Sequence, residues 1–336
     1  MKAAFLVQPN QIQIIEIPIP EPKAGEVRIK LKKVGICGSD IHLFLGHRLL
    51  EKPTIIGHEG FGIIDKIGEG VHRTIGERVA IEPNIPCKYC DHCLRGNGRI
   101  CSNKRVIGLT EPGCFAEYIC IPQEFCWYIP DEISDADAVV IEPMAVAVHA
   151  LFSSKAKPGD TIAIVGLGAI GLLITHLALV LGYQVLVTEI NASKLKMATD
   201  LGAISLLING DFNMQCEMLA QAYEKYNVVA IYECAGIAKT ASLVAASASR
   251  GSEIVLVGLS EKEANFQPLK IAREGITIVP SLIYDHPFDY RRTIQLIKTK
   301  VIQPSFIISN STEIDNLQDA LQLAAKGDES KIVLCL

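Results

Sequence analysis

Seven residues, VGLGAIG, constrain this chain more than any others. Gly166, Gly168 and Gly171 stand in the spacing G-x-G-x-x-G, directly after the apolar run TIAIV and at the head of a helical pattern. The spacing alone is a weak signal, but in a strand–turn–helix setting it is a strong one. The first glycine permits a tight turn, the second lets a phosphate approach the backbone, and the third lets the helix pack closely on the strand. The helix opening at Ala169 and Ile170 points free N–H groups at the same spot, which suits a pyrophosphate.

The segments around this turn repeat its logic. TIAIV, QVLVTE, ISLLIN, NVVAIYEC, SEIVLVGL and ITIVPSLI are apolar strands, and helix-length stretches such as NASKLKMATDLGA and AKTASLVAASASRG separate them. Near-continuous apolar strands alternating with helices predict a parallel sheet covered on both faces, and six such strands fit a doubly wound dinucleotide-binding domain. Glu189 closes the second strand, eighteen residues after Gly171. A carboxylate there accepts hydrogen bonds from an adenosine ribose and repels a 2′-phosphate, so NAD is expected over NADP. Asn191 and Lys194 complete the candidate coenzyme residues on that side. The stretch Thr161–Thr188 has no Asp, Glu, Lys or Arg and is long enough to span a bilayer, but its glycines and β-rich opening favour a buried strand, turn and helix.

The first third reads differently. EVRIKLKKV alternates Val27, Ile29 and Leu31 with charged residues, and GFGIIDKIGEGV, GERVAIEP and CFAEYICIP are further short strands punctuated by Gly or Pro. Such a series predicts a small barrel or sandwich-like domain. With 336 residues the chain is too long for one ordinary core and comfortable for two domains. Its formal net charge of −5 offers no bulk attraction to nucleic acid or an anionic membrane. The opening residues, broken by Gln8, Pro9 and Asn10, do not read as a signal peptide. Eleven cysteines in such a chain suggest thiols and metal ligands in a reducing cytoplasm.

Four of them, Cys87, Cys90, Cys93 and Cys101, fall in the pattern C-x2-C-x2-C-x7-C. Four thiolates suit tetrahedral zinc and leave it no open position, so this site is a staple and not a place of turnover. Basic residues nearby, among them Lys88, Arg95 and Arg99, raise a zinc-ribbon reading, which the acidic chain disfavours. A working metal needs other ligands. GICGSDIH supplies Cys37, Ser39, Asp40 and His42, GHEGFG supplies His58 and Glu59, and EPMAVAVHA supplies Glu142. A Cys, a His and a carboxylate can hold zinc and leave room for water or alcohol.

These motifs, in this order and over essentially the whole chain, resemble the zinc-containing medium-chain dehydrogenases of the polyol type, such as sorbitol, butanediol, threonine and sugar-acid dehydrogenases. The resemblance implies a GroES-like catalytic domain over residues 1–142, a Rossmann NAD-binding domain over 143–283 and a return segment over 284–336 that completes the first domain. It implies two zinc ions: a catalytic one on Cys37 and His58, completed by Glu59, by Glu142 or by water, and a structural one on the four-cysteine lobe. Ser39 and His42 match the family's proton relay, and imidazoles as a class titrate near neutrality, which suits passage of a proton to solvent. The family further implies a homodimer or homotetramer.

The chain departs from the sorbitol pattern in two places. His42 is followed by Leu43 and then Phe44, where that subgroup has an aromatic at once, and Ile283-Tyr284 stands where it has Arg-Tyr. Leu43, Phe44 and Tyr284 suggest a partly apolar substrate pocket, with Ser39 and Glu142 as polar contacts. The expected substrate is a secondary alcohol with a neighbouring hydroxyl: a polyol, vicinal diol or sugar acid. Sugar-phosphate or threonine oxidation, a metal-free quinone reductase and a non-enzymatic NAD-sensing regulator are the alternatives. His47 and Arg48 follow in a loop, where solvated surface charges are expected over ligands for an anionic substrate.

Overall fold

Six parallel strands are laid out in the spatial order Ile204–Ser205, Gln184–Thr188, Thr161–Val165, Val228–Glu233, Glu253–Leu256, Thr277–Pro280. The computed structural model describes residues 1–48, 50 and 52–336. The chain divides into two units, Met1–Pro143 with Asp285–Leu336, and Met144–Tyr284.

The second unit is built on the six-stranded sheet. All five residues of Thr161–Val165 are buried, as a strand covered on both faces requires. Strand order reverses between Thr161–Val165 and Val228–Glu233, which makes the ends of these two strands the topological switch point. The expected strand over ISLLIN contracts to Ile204–Ser205; it lies at the sheet edge with one neighbour, and Leu207 beyond it is exposed. Helix Ala169–Val180 follows the glycine turn at once, and helix Ala192–Asp200 is capped by Asn191, whose side chain accepts from the Ser193 and Lys194 amides. Leu186, Leu219, Tyr223, Ile231 and Ile254 belong to its core. No described helix is long and apolar enough to cross a membrane.

The first unit is β-rich. Strand Glu26–Gly35 alternates buried and exposed positions, as its sequence predicts, and pairs with Glu59–Ile67, Tyr118–Pro122 and Ile332–Cys335. A smaller sheet joins Lys2–Gln8, Gln11–Glu16 and Thr54–Ile55. The pairing of Ile332–Cys335 with Lys33–Gly35 places a segment from the far end of the sequence beside the Cys37 motif.

Helix Gly38–Phe44 corrects one expectation. It buries Asp40, Leu43 and Phe44, which are spaced i, i+3, i+4 and therefore share a face. Leu43 and Phe44, expected to line a substrate pocket, lie in the hydrophobic core with Ile36, Ile55 and Phe115. The opposite face carries Ser39 and His42, both exposed.

Candidate active site

Cys37 is the residue before this helix, with extended backbone (φ −97°, ψ 156°). Its amide donates to Asp40 Oδ2 at 2.9 Å, so the acid three residues on fixes the turn that presents the thiol. Asp40 Oδ1 accepts from the Gly57 amide at 3.2 Å and stands 3.4 Å from His58 Nδ1. This buried carboxylate thus ties the cysteine and histidine motifs together and orients the imidazole, as the outer partners of metal-bound histidines do. Burial opposes an imidazolium at His58, but the Asp40 carboxylate and the Cys37 sulfur outweigh it and hold its pKa well above the ordinary value.

Glu59 opens the next strand, 1% exposed, and both its oxygens accept from Lys331 Nζ at 2.7 Å. Lys331 also donates to the Ile36 carbonyl at 3.1 Å. Burial works against its charge, and Glu59 more than compensates, so the lysine pKa is raised. Gly35 makes room for this pair: a Cβ there would fall 2.0 Å from Glu59 Oε2.

One donor atom each from Cys37, His58 and Glu59 lies within 4.8 Å of the others. A thiolate, an imidazole and a carboxylate are the donor types of a three-ligand zinc site, so the group fits that metal. Glu142 lies outside this set. It is 8% exposed, and burial, supported by Glu59 and Asp40 and opposed by His58 and Lys331, pushes its carboxyl up to about 7.

Cys87, Cys90, Cys93 and Cys101 form a second donor set within 4.8 Å. Cys87 and Cys93 sulfurs are 4.0 Å apart and those of Cys90 and Cys101 3.8 Å. A tetrahedral ion with bonds of about 2.3 Å separates its sulfurs by about 3.8 Å, so four thiolates here fit zinc. Backbone N–H groups of Cys93 and Ser102 point at the Cys90 sulfur and draw its pKa down to about 6, which favours the thiolate.

In the second unit, Gly166 adopts φ +92°, and a Cβ on it would lie 2.7–2.8 Å from Ala235. A Cβ on Gly171 would meet the Gly166 carbonyl at 2.1 Å, whereas one on Gly168 would meet nothing within 4 Å. The turn is therefore tight at its first and third glycines and open at its second, where a pyrophosphate is expected, above Ala169 and Ile170 of the helix N-terminus. Glu189 takes N–H bonds from Leu167 (2.6 Å), Ile190 (2.7 Å) and Asn191 (2.9 Å). It braces the glycine turn. Asn191 is the helix cap described above, and Lys194 is 8% exposed.

Ser39 and His42 follow each other by one helical turn on the exposed face, and His42 Nδ1 is 3.2 Å from His47 Nδ1. Arg48 is exposed. Tyr284 is 2% exposed and Ile283 has φ +50°, an uncommon conformation for a β-branched residue. The residues that sequence reasoning left without a role are Asp40, Lys331 and Gly35. Asp40 had a local signal, an acid at the third helical position after Cys37; Lys331 had none.

A switch-point cradle for a dinucleotide and a cysteine–histidine–carboxylate metal set define a metal- and nucleotide-dependent oxidoreductase. The comparisons carry this further. Residues 23–131 match the family of the alcohol dehydrogenase GroES-like domain, and residues 169–299 match that of the zinc-binding dehydrogenase. The chain is 33% identical over 331 residues to the starvation-sensing protein RspB of Escherichia coli K12, covering 96% of this chain and 95% of that protein. It is 32% identical over 333 residues to the sorbitol dehydrogenase of Bacillus subtilis 168, with coverage of 96% and 93%. The crystal structure of the rspB alcohol dehydrogenase of E. coli CFT073, complexed with NADH, superposes with a TM-score of 0.92 at 30% identity over 100% of this chain and 99% of that one. The chain belongs to the zinc-containing medium-chain alcohol and polyol dehydrogenases. It is an oxidoreductase of that family, with zinc and a nicotinamide dinucleotide as cofactors.

Proposed function

We propose that the protein interconverts a secondary alcohol and its ketone with NAD, on substrates with a neighbouring hydroxyl: polyols, vicinal diols or sugar acids. The observation that carries this reading is the unequal size of the two donor sets, four thiolates in one and Cys37, His58 and Glu59 in the other. Four protein ligands close a zinc site, and three leave a position for an oxygen. Zinc on the three-donor set supplies Lewis acidity, and the coenzyme supplies the hydride acceptor.

The chain's own residues do the rest. Ser39 takes the proton of the substrate hydroxyl and His42, one turn on and open to solvent, passes it out. Asp40 orients His58, and Lys331 fixes Glu59 through hydrogen bonds to both of its oxygens. Glu142 is the alternative carboxylate, and burial keeps it readily protonated near neutral pH. Glu189 holds the ribose and disfavours a 2′-phosphate.

The exposed edge of strand Thr277–Pro280, paired on one side only, supports a homo-oligomer, dimer or tetramer. None of the eleven cysteines is in a disulfide, which supports a cytoplasmic location. A panel of alcohols followed by NADH absorbance tests the substrate class. Vicinal diols and polyols are expected to exceed ethanol in kcat/KM, and NAD to exceed NADP by at least about tenfold, equivalent to roughly 1.4 kcal/mol. Preference for ethanol, or for NADP, contradicts the corresponding half of the reading.

A further inference from the structure

At the carboxyl end of strand Val228–Glu233 lies a carboxylate that the mechanism above does not use. Glu233 is 1% exposed. Its Oε1 accepts from the amides of Ala235 and Gly236, each at 3.1 Å, and from the Thr240 hydroxyl at 2.6 Å. Its backbone carbonyl accepts from Val257 and Gly258 at 3.0 and 2.8 Å. One residue therefore ties down both turns that leave the sheet after Val228–Glu233 and Glu253–Leu256. Gly258 is shaped to it, since a Cβ there would lie 2.7 Å from Glu233 Oε2 and 2.2 Å from the Gly236 nitrogen. Burial raises the Glu233 pKa, against the opposing pull of the Thr240 hydroxyl and the turn amides.

What the anchored turn touches gives the carboxylate its meaning. Ala235 is the residue that a Cβ on Gly166 would strike at 2.7–2.8 Å, and the Cys234 amide donates to the Val165 carbonyl at 2.8 Å. Val165 and Glu233 end the two strands of the switch point, so the Ala235 turn forms one wall of the crevice and the glycine turn the other. Glu189 braces the glycine turn from its far side through Leu167.

We propose that Glu233 is a positioning residue of the coenzyme site: through Ala235 and Gly236 it holds the wall against which the glycine turn is seated, without touching the coenzyme. The proposal rests on the coenzyme reading given above. Removing the carboxylate frees the Ala235–Ile237 turn, and the loss falls on coenzyme affinity.

The test is NADH binding by fluorescence titration and coenzyme-dependent thermal shift, on the zinc-loaded full-length protein, for Glu233→Leu, Glu233→Gln and Thr240→Val. Glu233→Leu loses both carboxylate acceptors and keeps only the backbone carbonyl; it is expected to weaken NADH about tenfold or more, with the loss in KM for NAD exceeding that in kcat. Glu233→Gln keeps an oxygen for Ala235, Gly236 and Thr240 and should recover most of the affinity. Thr240→Val removes one donor, for a loss of about threefold. An unchanged dissociation constant in folded Glu233→Leu, or a fall in kcat alone, overturns the proposal. Should Glu233→Leu not fold, Thr240→Val decides: weaker NADH supports the role, and unchanged NADH overturns it. Gly168→Glu is the control for the site itself. If NADH still bound with its original affinity there, the coenzyme reading would fall and this proposal with it, whereas loss in Gly168→Glu with none in the Glu233 series overturns Glu233 alone.

Discussion

Glu59 and Lys331 are both almost fully buried and hydrogen-bonded through both carboxylate oxygens. Truncating one partner leaves the other charge without compensation in the interior, so Lys331→Met is expected to cost about 3–5 kcal/mol. Urea denaturation measures this, and Lys331→Arg should retain most of the stability. The paired change Glu59→Leu with Lys331→Met should restore stability but not turnover, which separates packing from chemistry; full activity in the pair would remove Glu59 from the metal set. The same scale holds the proposed relay. His42→Ala is expected to slow alcohol oxidation about 10- to 100-fold at neutral pH and below, with partial recovery at high pH. A pH–rate profile identical to that of the parent enzyme would exclude the relay. His58→Ala should abolish turnover and lower bound zinc from two ions per chain to one, while far-UV circular dichroism stays native.

At the scale of elements, the two motifs visible in the sequence are those whose parts are neighbours along the chain. The glycine turn and the four-cysteine lobe each close within one short segment, so spacing, together with the strand before the glycines, carries their geometry. The three glycines are not equivalent. Gly166→Ala places a Cβ at φ +92° against Ala235, and Gly171→Ala drives one into the Gly166 carbonyl. Each should destabilise by about 1–3 kcal/mol. Gly168→Ala meets open space and should leave the melting temperature nearly unchanged while weakening NADH; equal thermal losses in all three would contradict this division. Glu189→Ser alone removes the brace on Leu167 as well as the proposed ribose contact. A coenzyme switch is therefore better sought with arginine at Ile190, which is 98% exposed, than at Asn191, whose loss as a helix cap costs about 0.5–2 kcal/mol. Leu43 and Phe44 were misassigned from sequence because the helical phase of GSDIHLF was not read; once Gly38–Phe44 is a helix, residues 40, 43 and 44 share its inner face.

At the scale of the molecule, the fold class was legible because each unit has its own period, alternating in the β-rich part and continuous in the parallel sheet. The pairing of Lys331 with Glu59 was not, because nothing local marks a lysine just before a strand as the partner of a glutamate 272 residues earlier. Each unit has its own hydrophobic core, and both zinc donor sets belong to the first. Treatment with a strong chelator should therefore abolish turnover while NADH binding, followed by fluorescence, persists. Cys87→Ser or Cys101→Ser should likewise lower thermal stability through the first unit, because structural zinc binding is linked to folding. Loss of NADH binding in step with zinc would show that the coenzyme unit does not stand alone.

The distance along the chain between Glu59 and Lys331 is also a delay. At a synthesis rate of roughly 5–20 residues per second, a separation of 272 residues means that the lysine follows the glutamate by roughly 14–54 s. Cys101 follows Cys87 by 14 positions, so the last thiol of the lobe follows its first by roughly one to three seconds. During the long interval the entire 144–284 unit emerges and can fold, while Glu59 lacks the cation that lets it be buried. In a nascent chain the cysteine lobe and the 144–284 unit are therefore made before the buried pair of Glu59 and Lys331 can form.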